Sequence, residues 1–416
     1  MPAGSEAHNS VRPTANCPKG GSASLGRKTA LVLTGGGARA AYQVGVLRAI
    51  AEMLPRGSPS PFQVVCGTSA GAVNAASIAA GAGDFRRAVR RLVGVWKNFH
   101  AHHVYRSDVI GMARCALRWL TALVVGGIHE TNPVSLLDNA PLADLLARHH
   151  DSEGIDRAIA SGALTALAVT ASGYNSGHSV SFFHGVRGIE EWQRARRIGI
   201  ASRIEIGHLM ASSAIPFMFP AIRIGDEFFG DGSMRQTAPI SPALHLGADR
   251  ILVVCVSRRS NGDLVKSAGC PSLAHIAGHA LNSLFDDGLE SDLERLDRTN
   301  KAVAKIPEAA RSTGIELKHV DCMVLSPSRT LEQIALRFLH TLPWTVRYFL
   351  RGIGAMRRSG SNLASYILFE RPFCRALMRL GYEDTVARRA EIAEFLGIDI
   401  VEQDAYARDM SARIAA

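Results

Sequence analysis

Apolar and polar positions in the early part of the chain follow one design twice. Lys28-Thr29-Ala30-Leu31-Val32-Leu33-Thr34 is an apolar run of strand length, followed by Gly35-Gly36-Gly37 and by a helical stretch from Ala38 to about Leu54. Pro55 to Pro61 breaks the chain. Phe62-Gln63-Val64-Val65-Cys66 then predicts a second strand, which runs into Gly67-Thr68-Ser69-Ala70-Gly71 and another alanine-rich helix. Apolar runs at Ala163 to Thr170 and Arg250 to Val256 predict further strands, and Cys322 to Leu325 a last one, with helical patterns filling the intervals. Alternation of this kind predicts an α/β fold, a mainly parallel sheet covered by helices, with sites gathered at the carboxyl ends of the strands. Beyond about Arg329 the pattern turns helical and basic-aromatic. Three parts are therefore expected: a flexible tail over 1–25, an α/β domain over 26–330 and a helical extension over 331–416.

Composition narrows this picture little. The 416 residues are 47% hydrophobic and 20% charged, an ordinary globular balance. The seven cysteines (Cys17, Cys66, Cys115, Cys255, Cys270, Cys322 and Cys374) are scattered and never at C-x-x-C spacing, which argues against a disulfide frame or a zinc site. The tail is rich in Gly, Ser, Ala and Pro without an apolar core of secretory length, so a cytoplasmic protein is expected. A formal charge of +10 suits nucleic acid, anionic lipid or solubility alike. With no RNA-binding motif, zinc-finger spacing or long basic block, nucleic acid is disfavoured and anionic membrane surfaces stay open. Nothing reaches the length of a spanning helix. Val109 to Ile128 comes nearest, but Arg114 and Arg118 interrupt it, leaving an interfacial helix or a core-packed one with its arginines at the rim.

Both glycine turns lie where chemistry is expected. Gly67 to Gly71 fits G-x-S-x-G, in which the flanking glycines leave room for the tight strand-to-helix turn that presents the hydroxyl of Ser69. The helix that follows directs its amino-terminal dipole toward charge developing at that serine. Such a nucleophile needs a base and donors for an oxyanion. Gly35-Gly36-Gly37 can supply converging backbone N–H groups, and Arg39 either pins that loop or faces a phosphate. The same segment also fits the dinucleotide form G-x-G-x-x-A through Ala40, but the next strand ends without the acidic residue that form requires. A purely structural glycine turn is the third reading.

Fifteen histidines offer candidates for a base, none in a persuasive setting. His245 lies in a predicted helix; His102, His103, His149 and His150 lie in polar stretches. Asp231 differs, because Phe228-Phe229-Gly230-Asp231-Gly232-Ser233 sets a carboxylate between two glycines after an aromatic pair. Partial burial there would raise its basicity. Asp-Gly is also an ordinary turn pair.

Taken together and in this order, the three blocks resemble the patatin-like phospholipases, whose pattern is G-G-G-x-R-G, then G-x-S-x-G, then D-G-[GA]. Here they read Gly35 to Ala40, Gly67 to Gly71 and Asp231-Gly232-Ser233. Ala211 to Pro220 and Pro239 to Val254 resemble the segments around the aspartate, so the likeness spans roughly Lys28 to Pro327. Ala40 and Ser233 depart from the pattern. The resemblance implies a three-layer α/β/α fold and a lipid acyl ester hydrolase of phospholipase A or lysophospholipase type, needing no cofactor or metal. It implies that Ser69 attacks, that Asp231 takes its proton, and that N–H groups of Gly36 and Gly37, aided by Arg39, hold the oxyanion.

Two segments are expected to help such an enzyme reach a lipid interface. One is 109–128; the other is Phe338 to Arg358, where aromatic residues mix with arginines. Packing of the second segment on the catalytic domain is the competing expectation. A noncatalytic lipid-binding protein on the same fold, or a nucleotide-dependent enzyme, would be the other function classes. Intact Ser69 and Asp231 argue against the first, and the missing acidic residue against the second.

Overall fold

The computed structural model describes residues 27–106, 108, 135–258, 273–306, 318–352, 354–356 and 361–399. The tail over 1–25, the segment 109–128, Arg357, Arg358 and three of the cysteines fall outside them.

Period-two burial in the strands makes the layers. β1 (Thr29–Leu33) sends Leu31 and Leu33 to one face and Ala30 and Val32 to the other, and all four are buried. A 3-10 turn over Gly37–Ala40 leads into α1 (Ala41–Met53). β2 (Val64–Thr68) is followed by α2 (Ala70–Ala80) and α3 (Phe85–Lys97). Next come α4 (Ala140–His149), α5 (Ser152–Ala160) and β3 (Ala166–Gly173). Then follow β4 (Ser179–Gly185), β5 (Trp192–Arg194), β6 (Arg197–Ala201), α6 (Ile206–Ser212), β7 (Ile222–Ile224) and β8 (Glu227–Asp231). The remainder is α7 (Ser241–His245), β9 (Arg250–Val254), α8 (Leu273–Lys305) and β10 (Asp321–Leu325), then α9 (Leu331–Phe338), α10 (Trp344–Gly352), α11 (Ser361–Ile367), α12 (Arg371–Ala387) and α13 (Arg389–Leu396).

The sheet runs β10-β9-β1-β2-β3-β4-β6-β5, and every pair from β10 to β3 is parallel. Leu31, Val65, Leu167 and Leu252 face α1, α2 and α3, while Ala30, Val64, Ala166 and Ile251 face α7 and α8. The result is a three-layer α/β/α sandwich with a mostly parallel sheet. The chain winds β1, β2, β3 in one direction and returns with β9 and β10 on the other side of β1. At such a reversal an open α/β sheet leaves room for a site at the carboxyl ends of its central strands.

The strands expected from apolar runs are present within a few residues. Between Ser179 and Asp231, where helical patterns were expected, the chain adds five further strands with only α6 among them. Those strands are three to seven residues long, and several are half-exposed, so they carry no long apolar run that would betray them. β8 pairs antiparallel with the end of β3, matching Asp231 with Ala171.

The helices after Leu331 share the apolar core with α1 to α3 through Leu331, Leu339, Leu368, Phe373 and Leu377. α12 crosses α1 where both lack side chains. A Cβ on Gly45 would strike the carbonyl of Met378, and one on Gly381 that of Tyr42. Among the described residues no helix is long and apolar enough to cross a membrane.

Candidate active site

Ser69 sits between β2 and α2 with φ 57° and ψ −133°, a backbone conformation that a non-glycine residue adopts at a cost of about 1–3 kcal/mol. The surroundings leave it little choice. A Cβ on Gly67 would lie 2.5 Å from the Gly71 oxygen and 2.6 Å from Ala72 Cα, and one on Gly71 would press on the carbonyls of Leu33 and Thr34. The Ser69 N–H donates to Ser212 Oγ at 2.8 Å, and that hydroxyl donates to Thr170 O at 2.6 Å.

Asp231 ends β8 against the same stretch of β3. Its N–H donates to Ala214 O at 2.8 Å, and its Oδ1 accepts the Ser233 N–H at 2.9 Å. Gly232 is required because a Cβ there would meet Thr170 O and Thr68 Cγ2. Ser172 Oγ adds a hydrogen bond to Gly232 O at 3.2 Å. Burial pushes the Asp231 carboxyl up to about 6; the Ser69 hydroxyl and the Ser233 N–H pull it back only in part. Serine and aspartate, 162 positions apart in the sequence, thus face each other. The pair falls short of a full hydrogen bond, since Oδ2 is buried with no partner at bonding distance. That oxygen is free to take a proton.

The glycine loop closes the third side. Gly37 has φ 54°, and the N–H groups of Gly35, Gly36 and Gly37 donate to no acceptor among the described residues. A buried polar chain supports the loop from inside. Trp96 Nε1 donates to Asn74 Oδ1 at 2.8 Å, and Asn74 Nδ2 donates to Gln43 Oε1 at 3.0 Å and Ala40 O at 3.3 Å. Gln43 Nε2 then reaches Thr34 O at 2.8 Å. Arg39 is fully buried, and its guanidinium is committed to Glu332, Ser365, Tyr366, Asn282 and Asn362.

Ser69 and Gly37 open onto a cavity whose walls are Val73, Leu92, Trp96, Phe99, Leu142, Leu146, Phe219 and Phe369. Its lining is almost wholly apolar, with His149, His150 and Asp151 among the few polar exceptions. A small apolar mouth beside a serine, a buried carboxylate and free N–H donors can acylate the serine and hold a hydrocarbon chain while doing so. Among the described residues no cluster of His, Cys, Asp and Glu could hold a metal ion.

Three of the histidines weighed as a base have partners of their own. His245 stacks on Trp192 at 4.7 Å and is pushed down to about 4 by burial and by Arg194 and Arg197. His150 contacts Ile204 O at 3.0 Å, and His103 Nδ1 accepts the His100 N–H at 3.2 Å. Sequence reasoning missed Ser212, Tyr174 and the partners of Arg39. Burial, and then the nearby Asp231 carboxylate, raise the Tyr174 phenol above its ordinary value. Ser212 lies in the Ala211 to Pro220 segment, and the Ser212-Ser213 pair between apolar residues is the signal the sequence offers.

The sequence model of the family described as Patatin-like phospholipase matches residues 31–244, just over half of the chain. No curated protein matches. Among solved structures, the chain is similar to VipD from Legionella pneumophila at 12% identity, covering 87% of this chain and 88% of that one with a TM-score of 0.30. It is similar to human GIVD cytosolic phospholipase A2 at 11% identity, covering 90% of this chain and 60% of that one with a TM-score of 0.42. The complex of SpcU with ExoU from Pseudomonas aeruginosa gives 13% identity, coverage of 89% and 80%, and a TM-score of 0.25. The chain spans less than two thirds of the human enzyme's length, and identities and TM-scores this low say nothing of substrate or partner.

Proposed function

Because the chain belongs to the patatin-like phospholipase family, we propose that it hydrolyses acyl ester bonds of lipids, as a phospholipase A or lysophospholipase, through a Ser69–Asp231 dyad. Membership supports lipid hydrolysis in general; the chemistry is argued from this chain's residues. The observation that carries it is that Ser69, at its strained turn, lines an apolar cavity on one side and has the buried carboxyl of Asp231, raised by that burial, on the other.

In this reading Asp231 accepts the Ser69 hydroxyl proton as Oγ attacks the acyl carbonyl carbon. The oxyanion settles on the N–H groups of Gly36 and Gly37, next to the amino end of α2. Collapse breaks the ester bond, the alcohol leaves with the proton held by Asp231, and the acyl group remains on Ser69. Water, deprotonated by Asp231, then attacks the acyl-enzyme, and the fatty acid departs as Ser69 recovers its proton. Arg39 holds the loop in shape rather than touching the oxyanion, since its donors are taken up by Asn282, Glu332, Asn362, Ser365 and Tyr366.

Peripheral contact with anionic membranes belongs to the same proposal. On α10, Thr345, Val346 and Leu350 are buried, while Trp344 and Tyr348, one turn apart, are 62% and 78% exposed beside exposed Arg351. The helix is packed and still presents two aromatic rings outward, an arrangement suited to a headgroup layer.

The test is hydrolysis of a panel of phospholipids, lysophospholipids and simple esters by wild type, Ser69→Ala and Asp231→Asn. Both variants are expected to lose at least ~10³-fold in kcat. Lipid binding without turnover in the wild type would instead favour a noncatalytic protein on this fold.

A further inference from the structure

The glycine loop is fixed from outside by residues that lie far beyond the family match. Arg39 stands two residues after Gly37 in a single 3-10 turn, and its side chain has no exposed surface. Nη2 pairs with Glu332 Oε1 at 2.7 Å and also donates to the side chain of Asn362. Nε donates to Ser365 Oγ at 2.8 Å, and Nη1 donates to Tyr366 Oη and Asn282 Oδ1, each at 3.3 Å. The guanidinium also stacks on the Tyr366 ring, 3.9 Å from its centre. A planar group with five donors is thereby held from several sides.

Local structure explains why these partners converge. Asn362, Ser365 and Tyr366 are spaced three and four apart on α11 and so share one face. Glu332 sits in the first turn of α9, where the helix dipole favours a carboxylate. Tyr366 Oη donates to Asn282 Oδ1 at 2.7 Å, and Asn362 Nδ2 to Gly278 O at 3.1 Å, which wedges α11 against α8. The backbone completes the latch, since the space a Gly37 side chain would need is occupied by the Tyr366 carbonyl.

We propose that Glu332 and Tyr366 are positioning residues for the oxyanion loop, acting through Arg39 and Gly37, so that the C-terminal helices complete the active site. The idea rests on the hydrolase reading above. An oxyanion donor displaced by about 1 Å loses on the order of 10²-fold in rate, and Arg39 transmits any shift of its partners directly to Gly37. Asp231 is held by β3, β8 and Ala214, and is untouched by this latch.

The experiment uses the full chain with Glu332→Gln, Glu332→Asp and Tyr366→Phe, assayed on the best ester of the panel beside Ser69→Ala, with thermal unfolding as a folding check. Glu332→Gln is expected to lower kcat about 10- to 100-fold with KM within about twofold. The acid limb of its pH profile should stay at the wild-type position, because Asp231 is not disturbed. Glu332→Asp, which retains the charge, should recover most of the rate. Tyr366→Phe, which keeps the ring and the backbone carbonyl, should lose less than Glu332→Gln and covers the case in which that variant does not fold. A folded Glu332→Gln with wild-type kcat overturns the positioning role, as does a loss accompanied by a shifted acid limb, or a Tyr366→Phe at wild-type rate when Glu332→Gln does not fold. Activity persisting in Ser69→Ala overturns the dyad itself, a separate result.

Discussion

The N–H of Ser69 is held by the hydroxyl of Ser212 at 2.8 Å, and the same hydroxyl reaches Thr170 O at 2.6 Å. One side chain therefore satisfies both the turn that carries the nucleophile and the strand that aligns Asp231. Ser212→Ala leaves a buried donor and a buried acceptor unmet, which costs about 1–3 kcal/mol of stability. It also frees the strained turn to relax, so kcat is expected to drop about tenfold or more. Chemical denaturation and steady-state kinetics check both. Wild-type values in each would show the relay to be idle.

A base must be deprotonated to act. With the Asp231 carboxyl pushed up to about 6, kcat/KM is expected to fall tenfold per pH unit below that value and to level off above it. The pH profile should show a single acid limb there. A limb near 4 would mean that Asp231 is solvated in the free enzyme.

The same shift makes Asp231 a burden on the fold. Its folded value of about 6 lies above the ordinary 3.8, so the native chain binds the proton more tightly than the unfolded one. This contribution favours folding fully below about pH 4 and is lost as pH rises through about 6. At neutral pH the ionised group costs on the order of 3 kcal/mol, at 1.36 kcal/mol per unit. Asp231→Asn is therefore expected to melt higher than wild type at pH 8 and to lose that advantage near pH 4. Equal melting temperatures at both pH values would contradict the assignment.

Ser77 lines the cavity two turns along α2 from the nucleophile. Filling that depth with Ser77→Phe should reduce kcat/KM for long-chain esters about tenfold or more while sparing short ones. A uniform loss across chain lengths, measured on p-nitrophenyl esters from butyrate to palmitate, would place the acyl chain elsewhere.

Trp344→Ala combined with Tyr348→Ala removes two exposed rings without touching the buried Thr345, Val346 and Leu350. Flotation with vesicles containing phosphatidylserine should show binding reduced about tenfold, with hydrolysis of a soluble ester unchanged. Equal flotation would confine α10 to a packing role.

Strand β1 with its glycine loop, and β2 with Ser69 and α2, were legible because both are contiguous in sequence and each residue type answers a local demand. Asp231 was legible only as half of an ambiguous Asp-Gly turn; its burial and its approach to Ser69 arise from the pairing of β8 with β3. β5, β6 and β7, three to five residues long and partly exposed, carry no apolar run in the sequence, and in β4 serines alternate with its apolar residues at the start of the strand. From the sequence alone, Arg39 can serve either the loop or a phosphate. Choosing required Glu332, Asn362, Ser365 and Tyr366, some 300 residues away, whose side chains carry no local signature of what they meet.

The contact of Arg39 with Tyr366 closes a loop of 327 residues. A ribosome adding about 5–20 residues per second delivers Asp231 about 7 to 27 s before Tyr366. During that interval Ser69 and Asp231, the proposed nucleophile and base, have both been made while the Gly35–Gly37 loop lacks its outer support. A chain cut short between Asp231 and α11 therefore carries both members of the proposed pair without the part that would set them to work.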